Sequence, residues 1–245
     1  MPRSTDHPST TLQQALAPWL IAVAAAIGLA GCGGGDDPAA PAAAAAASTV
    51  QLTGTAATGA AIAGATVTAT NAAGVTATAL TGADGRFSLN ISDAAPYVLN
   101  VTDGAGKVWY SFAAQAGTAN ITPLTTLALL DANANRPLAD LVRGWGSTRL
   151  NADAVLAAAA KVNAHLRTQM TAQGLNPNTY NLFTTAFSAN QTGFDAVLDA
   201  TRISLECSAS SCTQRILNPA GGVMVSWNDA WSRRPLLSVT RKSML

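Results

Sequence analysis

The chain has 245 residues, enough for one large domain or two modest ones with cores of their own. Charged residues make up only 11% of it and the formal net charge is +1, so no global field attracts nucleic acid. Abundant Ala, Thr, Gly and Val argue for packed β structure and Ala-rich helices rather than a disordered polar chain.

Met1 to His7 is weakly positive, and an apolar run from Ala15 to Ala30 follows. The run is too short and too Ala-rich for a membrane-spanning helix, which needs about 20 apolar residues; a signal peptide accounts for it better. It closes on Leu29-Ala30-Gly31-Cys32, which resembles the lipobox of bacterial lipoproteins. The resemblance implies a signal peptide over residues 1–31, cleavage before Cys32 and a diacylglyceryl thioether on its thiol, usually with a third chain on the new amino group. At ~0.8 kcal/mol per buried CH₂, two or more chains hold a protein on a membrane permanently. Gly33, not Asp, follows the cysteine, which implies the outer membrane, with the body facing the periplasm or the outside. Residues 32–48 read as a flexible linker of Gly, Asp, Pro and Ala, reaching about 20–24 Å.

From Ser48 to Thr122, short alternating stretches recur between Gly, Asp and Asn. Strands are expected near 49–53, 65–70, 75–80, 86–91, 97–102, 107–113 and 118–121, and this spacing indicates an antiparallel sandwich. Phe87, Leu89 and Ile91 share one face, as do Tyr97, Leu99 and Val101, and Asp84-Gly85 supplies a turn. Trp109 and Tyr110 are neighbours and so face opposite sides of their strand; the aromatics are expected to fill the core or cap its edge. Val50-x-Leu52-x-Gly54, Ile62-Ala63-Gly64-Ala65-Thr66-Val67, Thr81-Gly82-Ala83-Asp84-Gly85-Arg86-Phe87-Ser88-Leu89 and Tyr97-Val98-Leu99 resemble the carboxypeptidase regulatory-like domain. That resemblance implies a prealbumin-like seven-strand sandwich over residues 49–122, of a family named for a non-catalytic accessory domain.

The period then changes. Thr122 suits a helix cap and Pro123 the first helical position, with Leu124, Leu127 and Leu130 at helical spacing and an end expected by Asn135. A short turn near Leu138–Arg143 leads to a Gly144-Trp145-Gly146 loop. Asn151 should cap a long helix whose stripe is Val155, Ala159, Val162, Leu166 and Met170, ended by Gly174. Thr192-Gly193-Phe194-Asp195 reads as a capping-box-like helix start. His165 borders the apolar stripe and has neither a second histidine nor an acid close to it in sequence after Cys32, so a helix-boundary role is expected. Asp195 and Asp199 lie four apart on one helix face, where helix-start charge and solvation account for them. Thr122-Pro123-Leu124-Thr125-Thr126, the stretch Phe183–Asn190 and the stretch Gly193–Ala200 are similar to a group of proteobacterial lipoproteins in which such a sandwich precedes a helical segment, here residues 123–201.

Ile203, Leu205 and Cys207 alternate, and Cys212 opens another extended run through Ile216. Pairing Cys207 with Cys212 sets Ile203 opposite Ile216, a hairpin clamped by a disulfide, as suits an exported chain once Cys32 is set aside. Gly221-Gly222 leads to a third strand, Val223–Trp227, completing a small β appendage over 202–227. Residues 228–245 form an irregular basic tail with Arg233, Arg234, Arg241 and Lys242 and no helical or aromatic-interleaved pattern for phosphate binding. The similar lipoproteins usually continue with further β structure, so this chain is expected to end early, near residue 228.

These readings lead to an α+β protein: an N-terminal seven-strand antiparallel β-sandwich, a mainly helical segment and a small C-terminal β-hairpin. Neither a Ser/His/Asp order around His165, a Gly-x-Ser-x-Gly elbow nor a metal-ligand cluster is present in the sequence, so no catalytic, cofactor or metal residue is assigned. The expectation is a lipid-anchored envelope protein acting as a non-enzymatic binding or structural module, with an envelope protein or glycan as partner and no nucleic acid. An accessory subunit of an uptake or secretion system, or a hydrolase with an unfamiliar site, is the alternative.

Overall fold

A computed structural model describes residues 48–146 and 150–227. Cys32, the linker up to residue 47 and the basic tail lie outside the described residues. Alternating side chains build seven strands in the first half: β1 (Thr49–Thr55), β2 (Thr66–Thr70), β3 (Thr76–Leu80), β4 (Arg86–Ser92), β5 (Tyr97–Thr102), β6 (Val108–Ala113) and β7 (Gly117–Thr118). In β4 the pattern is clearest, with Phe87, Leu89 and Ile91 buried and Arg86, Ser88 and Asn90 exposed. Two sheets result, ordered β4-β1-β7 and β3-β2-β5-β6. Leu52, Phe87, Leu89 and Ile91 of the first share a core with Val67, Tyr97, Leu99, Val101 and Trp109 of the second. Phe87, Tyr97, Trp109 and Phe112 are buried and Tyr110 is half-buried, so the aromatics serve the cores.

The turns arise from side chains that substitute for missing backbone partners. The Asn71 side-chain oxygen accepts the N–H groups of Ala73 and Val75 at 3.0 and 2.9 Å. Asp103 accepts the N–H groups of Ala105 and Lys107, both at 2.9 Å, and the Trp109 indole N–H at 2.8 Å. Burial works to raise the Asp103 pKa, but these donors and the Lys107 charge outweigh it and hold the carboxyl below its ordinary value. At Asp84-Gly85 the glycine has φ +76°, and a Cβ there would strike the Ala56 carbonyl.

One strand differs from the sequence expectation. The stretch 118–121 does not close an all-antiparallel set: β7 is two residues long and pairs in parallel with β1, Leu52 opposite Gly117 and Thr53 opposite Thr118. The chain must cross from the β6 sheet to the β1 sheet, and it arrives running the same way as β1. It continues alongside, with the N–H groups of Ala119 and Ile121 donating to the carbonyls of Thr53 and Thr55 at 2.7 and 3.0 Å. Gly54 permits this approach, since a Cβ there would collide with the Ala119 carbonyl.

The second half contributes α1 (Pro123–Ala132), α2 (Leu138–Arg143), α3 (Ala152–His165), α4 (Arg167–Ala172) and α5 (Phe194–Asp199). Thr122 caps α1 as expected, and Thr125 returns the bond, so both form a capping box. Residues 123 to 130 are all buried, between the outer face of the β5–β6 region and α3. Asn151 caps α3. The stripe Val155, Ala159, Val162, Leu166 and Met170 is buried throughout, but the helix breaks at Leu166 instead of running to Gly174. At α5 the expected Thr192 side-chain cap is not made; Gly193 stands at the cap with φ 57°, where a glycine is favoured.

The chain ends its described part in a third sheet, β8 (Arg202–Cys207), β9 (Cys212–Leu217) and β10 (Val223–Trp227), ordered β10-β9-β8. Cys207 pairs with Cys212 and Ile203 with Ile216, and the two cysteines form a disulfide. The inner face of β9 is not a loose appendage: Cys212 and Ile216 are buried in the helical core. The Cys212 N–H donates to the Asn135 carbonyl at 2.6 Å, and the Gln214 amide donates to the Asn135 side chain. Lys107 ties β8 to the sheet beneath, donating to the Ile203 carbonyl at 3.1 Å while lying 4.3 Å over the Trp109 ring.

Candidate functional site

β6 stops at Ala113, and the chain bends through residues 114–116 before β7. Across from this bend lie the first turns of α3 and the loop 181–184, and a cleft of about 390 Å³ opens between the three segments. Its apolar lining includes Phe112, Val155, Leu156 and Phe183; its polar lining is Gln115, Thr118, Asn181 and Thr184. No titratable side chain lines it among the described residues. Leu156 is 50% exposed, a large apolar side chain open to solvent.

Asn120 assembles the cleft. It is buried, its side-chain oxygen accepts the Thr55 N–H at 3.2 Å, and its amide donates to the Thr185 carbonyl at 2.7 Å. Its own N–H donates to the Phe183 carbonyl at 2.8 Å. Asn181 shapes the loop from within, accepting the N–H groups of Phe183 and Thr184 at 2.9 and 3.2 Å. The loop is thereby fastened to the segment that leaves β7, which sets the width of the opening.

Leu156 and Asn181 also line a smaller hollow of about 150 Å³, together with Asn163, Pro177 and Tyr180. The Asn163 amide is committed to the carbonyls of Pro177 and Tyr180 at 3.1 and 2.7 Å. Its side-chain oxygen and the Tyr180 hydroxyl are buried and have no hydrogen-bond partner among the described residues. Leaving such atoms unpaired costs about 1–3 kcal/mol each. Burial pushes the Tyr180 phenol well above its ordinary pKa, and it stays neutral. The ring stacks on Phe194 at 4.9 Å, and Phe187 meets Phe194 edge-on at 5.1 Å.

The residues singled out in the sequence lie elsewhere. His165 ends α3, half-buried; burial lowers its pKa and the nearby Asp131 carboxylate works against that shift. Asp131 itself pairs with Lys161 at 2.8 Å. Asp199 is exposed, but Asp195 is fully buried and not on a solvated face. One Asp195 oxygen accepts the Gln191 N–H at 2.7 Å, closing the tight loop before α5, and the other has no partner among the described residues. Burial pushes its carboxyl above the ordinary value; the Gln191 N–H opposes this and the Asp199 charge adds to it.

The cleft escaped sequence reading because its walls come from three segments whose residues carry no chemical signature. Asn120 was the available signal: an amide inside Ala119-Asn120-Ile121, where the flanking side chains are apolar and buried. Among the described residues no three His, Cys, Asp or Glu side chains gather to hold a metal ion, and no helix is long and apolar enough to cross a membrane. Compared with protein-family models, with curated proteins and with solved structures, the chain matches none.

Proposed function

We propose that this is a lipid-anchored cell-envelope protein, held at the outer membrane through Cys32, which acts as a binding or structural module and not as an enzyme. Its N-terminal half is read as a prealbumin-like seven-strand sandwich, which the shared core of the two sheets supports. The cleft beside α3 is the binding site, and the ligand is uncharged. The observation that carries this reading is the lining of the cleft: apolar side chains, amides and hydroxyls, with no acid, base or cation among the described residues to move a proton or hold a charge. The amides and hydroxyls of Gln115, Thr118, Asn181 and Thr184 beside the apolar walls favour a ligand with hydroxyl or amide groups and an apolar face, such as a neutral glycan.

The test is a titration of the protein with neutral oligosaccharides and with charged ones of equal size, monitored by protein-observed NMR. Neutral sugars should shift the resonances of Asn181, Phe183 and Leu156, and Leu156→Glu should weaken binding at least tenfold while leaving the melting temperature unchanged. A preference for the charged sugars, or shifts confined to other faces, would refute the cleft. The anchor is tested separately: Cys32→Ser should move the protein from the membrane to the soluble fraction, and retention on the membrane would refute acylation at that thiol.

A further inference from the structure

Sheet edges expose backbone N–H and C=O groups, and folded proteins close or guard them. Most edges here are guarded. On β6 the Tyr110 N–H donates to the Thr126 hydroxyl, and its carbonyl accepts from the Thr125 hydroxyl, both at 2.8 Å. β7 is only two residues long. β4 carries Arg86, paired with Asp84 at 3.5 Å, and its Ser92 carbonyl accepts the Asn71 amide at 2.9 Å. β8 carries Arg202 and Glu206, and its Ile203 carbonyl is taken by Lys107.

β3 has none of these devices. From Asn71 to Ala83 there is no charged residue and no proline. The Asn71 N–H bonds the Val75 carbonyl and the Thr81 N–H bonds the Ala65 carbonyl, both at 2.9 Å, and the β2–β3 register between them is unbroken. Antiparallel alternation then turns the N–H and C=O groups of Thr76, Thr78 and Leu80 away from β2. These three residues are exposed, Leu80 to 69%, and Val75 at the other end of the strand is 47% exposed.

We propose that β3 pairs antiparallel with β3 of a second copy of this chain, across a two-fold axis at Thr78. Thr78 then faces the partner's Thr78, Thr76 faces the partner's Leu80, and each facing pair exchanges two backbone hydrogen bonds. The two four-stranded sheets become one continuous sheet through an isologous contact. The strand suits itself as a partner: it has no charge to repel its copy, Thr beside Thr is a favourable cross-strand pair, and Ala77 opposite the partner's Ala79 lets the backbones approach. A strand of five residues is about 17 Å long, so the contact is smaller than the ~800 Å² per partner of a stable interface and the association is weak. Copies gathered on a membrane would meet more often, but the pairing does not depend on the anchor proposed above.

Cross-linking of the full chain in its own membranes reads out such a contact. Facing residues of a hydrogen-bonded pair have Cα atoms about 5.5 Å apart, within reach of a disulfide. Under mild oxidation, Thr78→Cys should yield a covalent homodimer as its main product. Thr102→Cys, exposed on β5 and away from the edge, should yield less than a tenth as much. Adding Thr76→Pro to Thr78→Cys should cut the dimer at least fivefold without changing the far-ultraviolet dichroism. Equal cross-linking at positions 78 and 102, no dimer at 78, or a Thr78→Cys adduct to a different protein would each overturn the proposal. A chain found in the soluble fraction that still cross-links through position 78 would defeat the anchor and leave this pairing standing.

Discussion

The two edges of the four-stranded sheet, β3 and β6, come from similar short strands and end in opposite states. On β6 the outward groups of Tyr110 are met by two consecutive hydroxyls, Thr125 and Thr126, at the start of α1. On β3 the outward groups of Thr76, Thr78 and Leu80 have no strand paired to them among the described residues. The difference lies in where the chain goes after each strand. After β6 and the short β7 crossing, it enters Thr122-Pro123-Leu124-Thr125-Thr126, and a capped helix start holds its hydroxyls in fixed positions against the sheet. After β3 the Asp84-Gly85 turn carries the chain to β4, which returns beside β3 but hydrogen-bonds in the other sheet, so no strand is paired to this edge.

The largest expected effect comes from uncapping the closed edge. Thr126→Val leaves the Tyr110 N–H without a partner, and Thr125→Val removes the shorter of the two hydroxyl contacts to its carbonyl and breaks the capping box; each should cost about 1–3 kcal/mol, and less than the sum together because they share Tyr110. Urea unfolding should show lower midpoints with an unchanged slope. Unchanged midpoints would mean that these hydroxyls do not close the edge, and the contrast with β3 would fall.

A smaller effect tests how completely the helical cover satisfies what it buries. Asp195 is one of the exceptions there, a buried carboxyl with one oxygen unpartnered among the described residues. Its folded pKa lies above the ordinary value of 3.8, so the folded state holds the proton more tightly than the unfolded state does. The stability this gives is fully present below the unfolded pKa and is lost as pH rises through the folded one. Asp195→Asn, a neutral side chain that can still accept the Gln191 N–H, should therefore raise the melting temperature at pH 7 relative to the parent and lose that advantage at pH 3. Equal differences at both pH values would show that the carboxyl is not destabilised by its burial.

The smallest effect belongs to the open edge. Thr78→Lys adds a charge to an exposed side chain that supports no fold contact, so unfolding free energy should change by no more than about 0.5 kcal/mol. A loss of several times that, measured by the same urea titration, would show that β3 is already engaged within its own chain.

The strands, the capped starts of α1 and α3 and the Cys207–Cys212 hairpin could be read from the sequence because each rests on residues within a few positions of one another. Period-two burial, a Thr or Asn before a helix, and two cysteines at the same level of a short hairpin need no knowledge of distant segments. Four features needed the tertiary structure. The parallel pairing of β7 depends on the direction in which the chain reaches β1. The break at Leu166 interrupts a stripe that stays buried on both sides of it. Asp195 is buried although its spacing from the exposed Asp199 suggests one solvated face. The cleft exists only where residues near 115, 155 and 183 meet around Asn120. Sequence by itself determined which side of each strand and helix is apolar, since that is written in local periodicity. Which apolar face meets which, which edge is covered and which left bare, depended on packing between segments far apart in the chain, where no local pattern reaches.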